Sequence, residues 1–210
     1  MAAECMDEFM LTNRFEDALG FAAHLHARQK RKGTSVPYVA HLMSVASLVL
    51  ENGGDEDQAI AALLHDAVED QGGLPTLREI RKRYGDRVAR IVEGCSDTYV
   101  HPKPPWRKRK EDYLRHLRQV DADVRLVSLA DKLHNARSIL RDLRQTGPQS
   151  FSRFNGGQAG TLWYYHSLAN IFQELDDSFM VAELVEAVAE MDSLASRTAG
   201  RGSRPPESGF

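Results

Sequence analysis

Six consecutive residues hold four side chains that can bind a metal ion or move a proton: His65-Asp66-Ala67-Val68-Glu69-Asp70, directly after Leu63 and Leu64. If the helical pattern leading into them continues, His65 and Glu69 lie one turn apart, as do Asp66 and Asp70, and the four share one edge. Acids at such spacing repel one another on a helix, and a divalent cation removes that repulsion. Imidazole together with carboxylate oxygen suits Mn²⁺, Fe²⁺, Zn²⁺ and related ions. The competing reading is the solvated end of an ordinary helix that runs into a turn.

Two distant stretches supply further groups of the same kind. Asp131 stands alone among Val124, Val127, Leu129 and Leu133, where a carboxylate is costly unless it is paired or ligated. An ion pair with Arg125, Lys132 or Arg137, or simple exposure, accounts for it equally well. His41 follows Pro37-Tyr38-Val39-Ala40 at the start of an apolar helix, where a packed or capping histidine is the commoner case. His24, His26, His101, His116, His134 and His166 have no metal-type spacing and read as structural or exposed.

The elements that would carry these residues are helical. Phe15 to Lys30 repeats apolar residues at helical spacing, and Val39 to Glu51 forms a second apolar helix that stops at Asn52-Gly53-Gly54. Asp55 is a candidate N-cap for a third helix, carrying Ala59 to Leu64 and ending near Gly72-Gly73. Thr76 to Tyr84 and Gly85 to Glu93 read as short amphipathic helices. Ser96 to Arg109, with Pro102, Pro104 and Pro105, reads as a loop, and the basic stretch Lys103 to Lys110 around Trp106 is a candidate lid. Glu111 to Arg118, Val124 to Leu143 and Thr161 to Leu194 complete an all-α set. Residues 1–195 are expected to form one domain, and residues 196–210, rich in Gly, Ser, Pro and Arg, a disordered tail.

Composition narrows the classes. With 27 Lys and Arg against 30 Asp and Glu, the net charge of −3 argues against a general nucleic-acid binder. A small anionic ligand needs only a local basic cluster. Cys5 and Cys95 have no CxxC spacing, which fits a reducing compartment. The acidic start, Met1 to Met10, does not read as a secretory signal, and no stretch is long and apolar enough for a membrane span. A cytoplasmic protein is the expectation; the residues specify no oligomeric state.

Four segments together carry a resemblance. They are Arg28-Gln29-Lys30-Arg31-Lys32 with Pro37-Tyr38-Val39-Ala40-His41; Ala61 through Asp70; Tyr84-Gly85 through Val92-Glu93; and Leu129-Ala130-Asp131-Lys132-Leu133-His134-Asn135-Ala136-Arg137. The ordered series His41, His65-Asp66, Asp131 resembles the H…HD…D signature of HD-domain phosphohydrolases. More narrowly, the segments are similar to the hydrolase domain of the RelA/SpoT family and its stand-alone small alarmone hydrolases, over Phe15 to Phe179. The HD ligand set says little about substrate, whereas the HDxxED extension with the DKLHN segment is much more specific.

The resemblance implies that His41, His65, Asp66 and Asp131 bind the metal, usually Mn²⁺, and that Glu69 and Asp70 activate the attacking water. It implies that Arg31 and Lys32 line a nucleotide pocket. A guanidinium stacks well on a purine, so Arg31 is assigned to the base and Lys32 to phosphate. Asn135, one turn after Asp131, and its neighbour Ser138 are implied to contact the nucleotide. The implied reaction is removal of the 3′-pyrophosphate from ppGpp or pppGpp, giving GDP or GTP. The alternatives are an HD phosphatase for another nucleotide, such as an adenosine 3′-pyrophosphate or NADPH, and a non-catalytic metal- and nucleotide-binding scaffold. Three features depart from the family pattern: a shorter turn over Gly33-Thr34-Ser35-Val36, Ala40 in place of the common Asn, and the segment His101 to Lys110. They leave the metal residues alone and bear on the base and sugar contacts.

Overall fold

A computed structural model of the chain describes residues 11–96 and 102–196. The described residues form α1 (Asn13–Leu25), α2 (Val39–Glu51), α3 (Glu56–Leu64), α4 (Ala67–Asp70), α5 (Leu74–Tyr84), α6 (Asp86–Cys95), α7 (Trp106–Leu117), α8 (Ala122–Thr146), α9 (Gly157–Leu175) and α10 (Phe179–Ser196). A 3₁₀ turn spans Pro148–Arg153. Among these residues there is no strand, only an isolated antiparallel bridge between Lys30 and Pro37, so the all-α expectation holds. None of the described helices is long and apolar enough to cross a membrane.

Two compact units divide the chain, Met1–His134 and Asn135–Phe210, and α8 runs through the division. In the first unit the central element is α3. Its residues Ala59 to Leu64 are all buried, and a helix apolar on every side must be surrounded. It packs against α1, α2 and α6. Its start is fixed by a capping box: the Asp55 carboxylate accepts from Gln58 N–H at 3.0 Å, and the Gln58 side chain accepts from Asp55 N–H at 2.8 Å. Arg87 of α6 then donates to Asp55 at 2.6 Å and to Asp123 of α8 at 2.9 Å. One guanidinium thus ties together the starts of α3 and α8, the two helices that carry acidic candidates.

The second unit contains the rest of α8, the 3₁₀ turn, α9 and α10, with α9 packed on α10. Arg137 pairs with Glu183 at 2.7 Å and Arg144 with Glu190 at 2.6 Å, holding α8 to α10 over a core that includes Leu143, Leu168, Phe172 and Leu184.

Four boundaries differ from the sequence reading. Helix α1 ends at Leu25 rather than Lys30, with His26 at its C-cap. The third helix stops at Leu64 instead of continuing to Gly72-Gly73. The His65 ring N–H there donates to the carbonyl of Ala62 at 2.7 Å, an acceptor that an uninterrupted helix would give to Asp66 N–H. Trp106 to Arg109 is helical, not loop: Pro105 is the cap, and the pairs Arg107–Glu111 at 2.7 Å and Lys108–Asp112 at 2.8 Å hold the first turns. The stretch Thr161 to Leu194 is two helices, because Asp176 turns extended and its carboxylate accepts from Ser178 N–H at 3.0 Å. Cys5, the Met1 to Met10 segment, His101 and residues 197–210 of the expected tail lie outside the described residues.

Candidate metal centre

Three elements deliver the ring nitrogens and carboxylates to one point in the first unit. His41 stands in the first turn of α2, His65 and Asp66 form the break between α3 and α4, and Asp131 lies on α8 before the unit boundary. His41, His65 and Asp66 each offer a ligand atom, and these atoms all lie within 4.8 Å of one another. The Nε2 of His41 is 3.2 Å from Asp131 Oδ1 and 3.7 Å from Asp66 Oδ2. The Nε2 of His65 is 3.0 Å from Asp66 Oδ2 and 3.7 Å from Asp131 Oδ1. Asp66 is the most open of the four, with its side chain 24% exposed against 9% for Asp131, so access runs along the Asp66 side.

The surroundings set the direction of each group. His65 Nδ1–H is committed to Ala62 O, which leaves the Nε2 lone pair pointing at the carboxylates. His41 Nδ1 meets His134 Nδ1 at 2.7 Å, so one of the two carries the shared proton and His41 Nε2 is again the inward atom. The Tyr38 hydroxyl donates to Asp66 Oδ2 at 2.6 Å, and Lys132 donates to Asp131 Oδ2 at 2.6 Å. Burial disfavours a charged imidazole at His65, but the carboxylates of Asp66 and Asp131 outweigh it and hold its pKa well above the ordinary value. Burial likewise disfavours the two carboxylates, yet His65 and His41 hold Asp66, and Lys132 and His41 hold Asp131, well below the ordinary range.

A divalent cation fits this arrangement. Both Nε2 atoms are buried and make no hydrogen bond. An orphaned polar atom in a core is costly. Two of them aimed at the same pair of carboxylate oxygens are the donor set that a borderline cation takes.

The other predicted residues fall around this point. Glu69, on α4, accepts from Lys103 at 2.8 Å, and Asp70 accepts from Gln29 at 2.7 Å. Burial of the Asp70 carboxyl, with the negative charges of Asp66 and Glu69, raises its pKa. Arg31 sits in a turn closed by the Lys30–Pro37 bridge and by its own N–H to Val36 O at 2.9 Å, with its guanidinium 5.7 Å from the Tyr38 ring centroid. Lys32 is exposed in the same turn. Asn135 and Ser138 belong to the second unit, on the continuation of α8, both half-buried. Of the candidate lid, Lys103 reaches Glu69, while Trp106 to Lys110 is the first stretch of α7.

Sequence reasoning missed Tyr38 and His134 as partners of the ligand candidates, and it read His134 as having no such role; of the ion-pair partners it offered Asp131, Lys132 is the one that reaches it. A signal was present. Tyr38 precedes His41 by three positions and His134 follows Asp131 by three, a spacing that puts each pair on one helix edge. Cys95 is a free thiol beside Ser128 at 3.7 Å, and burial pushes it up to about 11.

Residues 18–160 match the family model described as HD domain, which spans more than half of the chain, and the chain belongs to that family. Relatives include the guanosine-3′,5′-bis(diphosphate) 3′-pyrophosphohydrolase MESH1 of Xenopus tropicalis, 39% identical over 139 residues that cover 65% of this chain and 73% of the relative. The guanosine-3′,5′-bis(diphosphate) 3′-pyrophosphohydrolase of Aquifex aeolicus is 38% identical over 124 residues, 58% of this chain and 17% of that longer protein. Among solved structures, a metazoan ortholog of SpoT described as hydrolysing ppGpp superposes with a TM-score of 0.71 at 24% identity, over 86% of this chain and 97% of the other, a likeness of fold.

Proposed function

We propose that this chain holds Mn²⁺ through His41, His65, Asp66 and Asp131 and hydrolyses the 3′-pyrophosphate of ppGpp or pppGpp to GDP or GTP and pyrophosphate. The observation that carries the reading is the pair of orphaned, buried Nε2 atoms facing two carboxylates in one site. The reaction named for the relatives from Xenopus tropicalis and Aquifex aeolicus supports the substrate class. We treat residues 1–195 as one hydrolase domain, since the HD match runs across the division within α8. The reaction belongs in the cytoplasm on the ground of its substrate.

When bound, the cation supplies a polarised phosphoryl oxygen and a more acidic water. The chain's own residues do the rest. Glu69 and Asp70, on the short helix that follows Asp66, hold the water or accept its proton. Water attacks the phosphorus bonded to the ribose 3′ oxygen, the P–O3′ bond breaks, and the 3′ oxygen leaves with a proton. Lys32 offsets pyrophosphate charge, and Arg31, whose guanidinium already lies near the Tyr38 ring, stacks on the base. Asn135 and Ser138 are assigned to the nucleoside by the family resemblance alone.

Turnover with Mn²⁺ across ppGpp, the adenosine analogue pppApp and NADPH tests the assignment. Pyrophosphate release from ppGpp is expected; none from any guanosine or adenosine 3′-pyrophosphate removes the substrate assignment and leaves the cation site standing. Glu69→Ala is expected to bind Mn²⁺ like the parent and to lose turnover by about a hundredfold or more. A fully active Glu69→Ala removes this residue from water activation.

A further inference from the structure

A second polar chain runs beside the cation site. His26 is buried and stacks on the Tyr38 ring with centroids 5.2 Å apart. Its Nδ1 lies 2.8 Å from Gln29 Oε1, and Gln29 Nε2 lies 2.7 Å from Asp70 Oδ2. Gln71, the residue after Asp70, places its Nε2 at 2.5 Å from Gln29 Oε1. The Gln29 main chain is held too, its N–H donating to His26 O at 2.9 Å and its carbonyl accepting from Tyr38 N–H at 3.0 Å.

The chemistry of these groups allows one arrangement of protons. A carboxylate only accepts, so the amide nitrogen of Gln29 faces Asp70. The amide oxygen then faces the Gln71 amide nitrogen and His26 Nδ1, which therefore carries its proton. Turning the Gln29 amide over would set oxygen against carboxylate oxygen and NH₂ against NH₂. Burial lowers the pKa of His26, consistent with a neutral ring whose single proton lies on Nδ1.

Asp70 needs such a partner. It ends a helix of four residues, α4, with the negative groups Asp66 and Glu69 nearby. An exposed side chain there has few contacts to choose its rotamer, and the neighbouring negative charges favour no particular one.

We propose that Gln29 is a positioning residue: its amide, oriented by His26 and Gln71, fixes Asp70 through Oδ2 and leaves Asp70 Oδ1 to hold the attacking water. The proposal rests on the assignment of Asp70 to water activation. A general base must be held to within a fraction of an ångström of its working position. A single N–H aimed at one carboxylate oxygen sets both the rotamer and which oxygen remains available.

Gln29→Met keeps side-chain length and volume but has neither amide donor nor acceptor, and Gln29→Glu keeps an oxygen toward His26 while placing a second negative charge against Asp70. Steady-state kinetics with Mn²⁺ and ppGpp should show kcat reduced about tenfold to a hundredfold in both variants. KM and Mn²⁺ affinity in Gln29→Met should match the parent, a split that a merely structural role would not produce. Asp70→Asn is measured alone and combined with Gln29→Met. If Gln29 acts through Asp70, the double variant is no slower than Asp70→Asn. Wild-type kcat in both Gln29 variants beside a slow Asp70→Asn overturns the proposal, as do losses that multiply in the double variant. A fully active Asp70→Asn instead overturns the role of Asp70 itself.

Discussion

At His65 the two ring nitrogens have different tasks: Nδ1–H is spent on Ala62 O at 2.7 Å, and Nε2 meets carboxylate oxygen at 3.0 Å. The carboxylates of Asp66 and Asp131 outweigh burial and raise the affinity of this imidazole for a proton. A metal ion and that proton compete for the same lone pair, so binding the ion must expel the proton. The sign follows: a raised imidazole pKa means that acid weakens cation binding and that affinity climbs with pH until the proton is gone. Calorimetric titration with Mn²⁺ in two buffers of different ionisation enthalpy should therefore give different heats, with a net release of protons; identical heats would contradict this account. The same competition explains why Asp131, written beside Lys132, is not merely ion-paired. Lys132 takes Oδ2, and Oδ1 is left 3.2 Å from His41 Nε2.

Helix α3 works as a positioning rod, and its ends matter more than its apolar middle. At the C-terminal end the helix breaks at His65, which turns Asp66 toward His41 and Asp131. At the N-terminal end the chain leaves α2 through Asn52-Gly53-Gly54, and a Cβ on Gly54 would come within 2.4 Å of Val49 Cγ1 and 2.8 Å of Val49 O. Backbone at one of those contacts cannot swing aside. Gly54→Ala should cost about 1–3 kcal/mol by denaturant unfolding and weaken Mn²⁺ binding by shifting α3; parent-like stability would show that the α2–α3 turn yields. Much at this scale was legible in the chain's pattern. Val39–Glu51 and the Asp55 cap are as expected, because apolar periodicity and capping chemistry are local. The break at His65 was not, because it depends on a ring hydrogen bond that competes with the helix ladder, and residue spacing carries no trace of it.

For the whole molecule, convergence of α2, the α3–α4 break and α8 leaves two buried imidazole nitrogens without hydrogen bonds, and a bound cation is worth stability as well as chemistry. Mn²⁺ at a hundredfold over its Kd should stabilise the protein by about 2.7 kcal/mol, read as a rise of several degrees in Tm that a chelator reverses. Asp66→Ala and Asp131→Ala should remain folded and lose that rise; a full Mn²⁺ shift in either variant would dissolve the four-residue site. Residue types and order alone determined that the chain is helical, that His65-Asp66 and Glu69-Asp70 are candidates for chemistry, and, by resemblance, that His41 and Asp131 join them. Only the tertiary structure decided which nitrogen and which oxygen of each group points inward. It alone brought out Tyr38 and His134 behind the ligand candidates, chose Lys132 among the cations offered to Asp131, and set Gln29 behind Asp70. The physical reason is that helix identity follows from neighbours within a turn, whereas the direction of a hydrogen bond depends on partners as far as 93 residues away, as between His41 and His134.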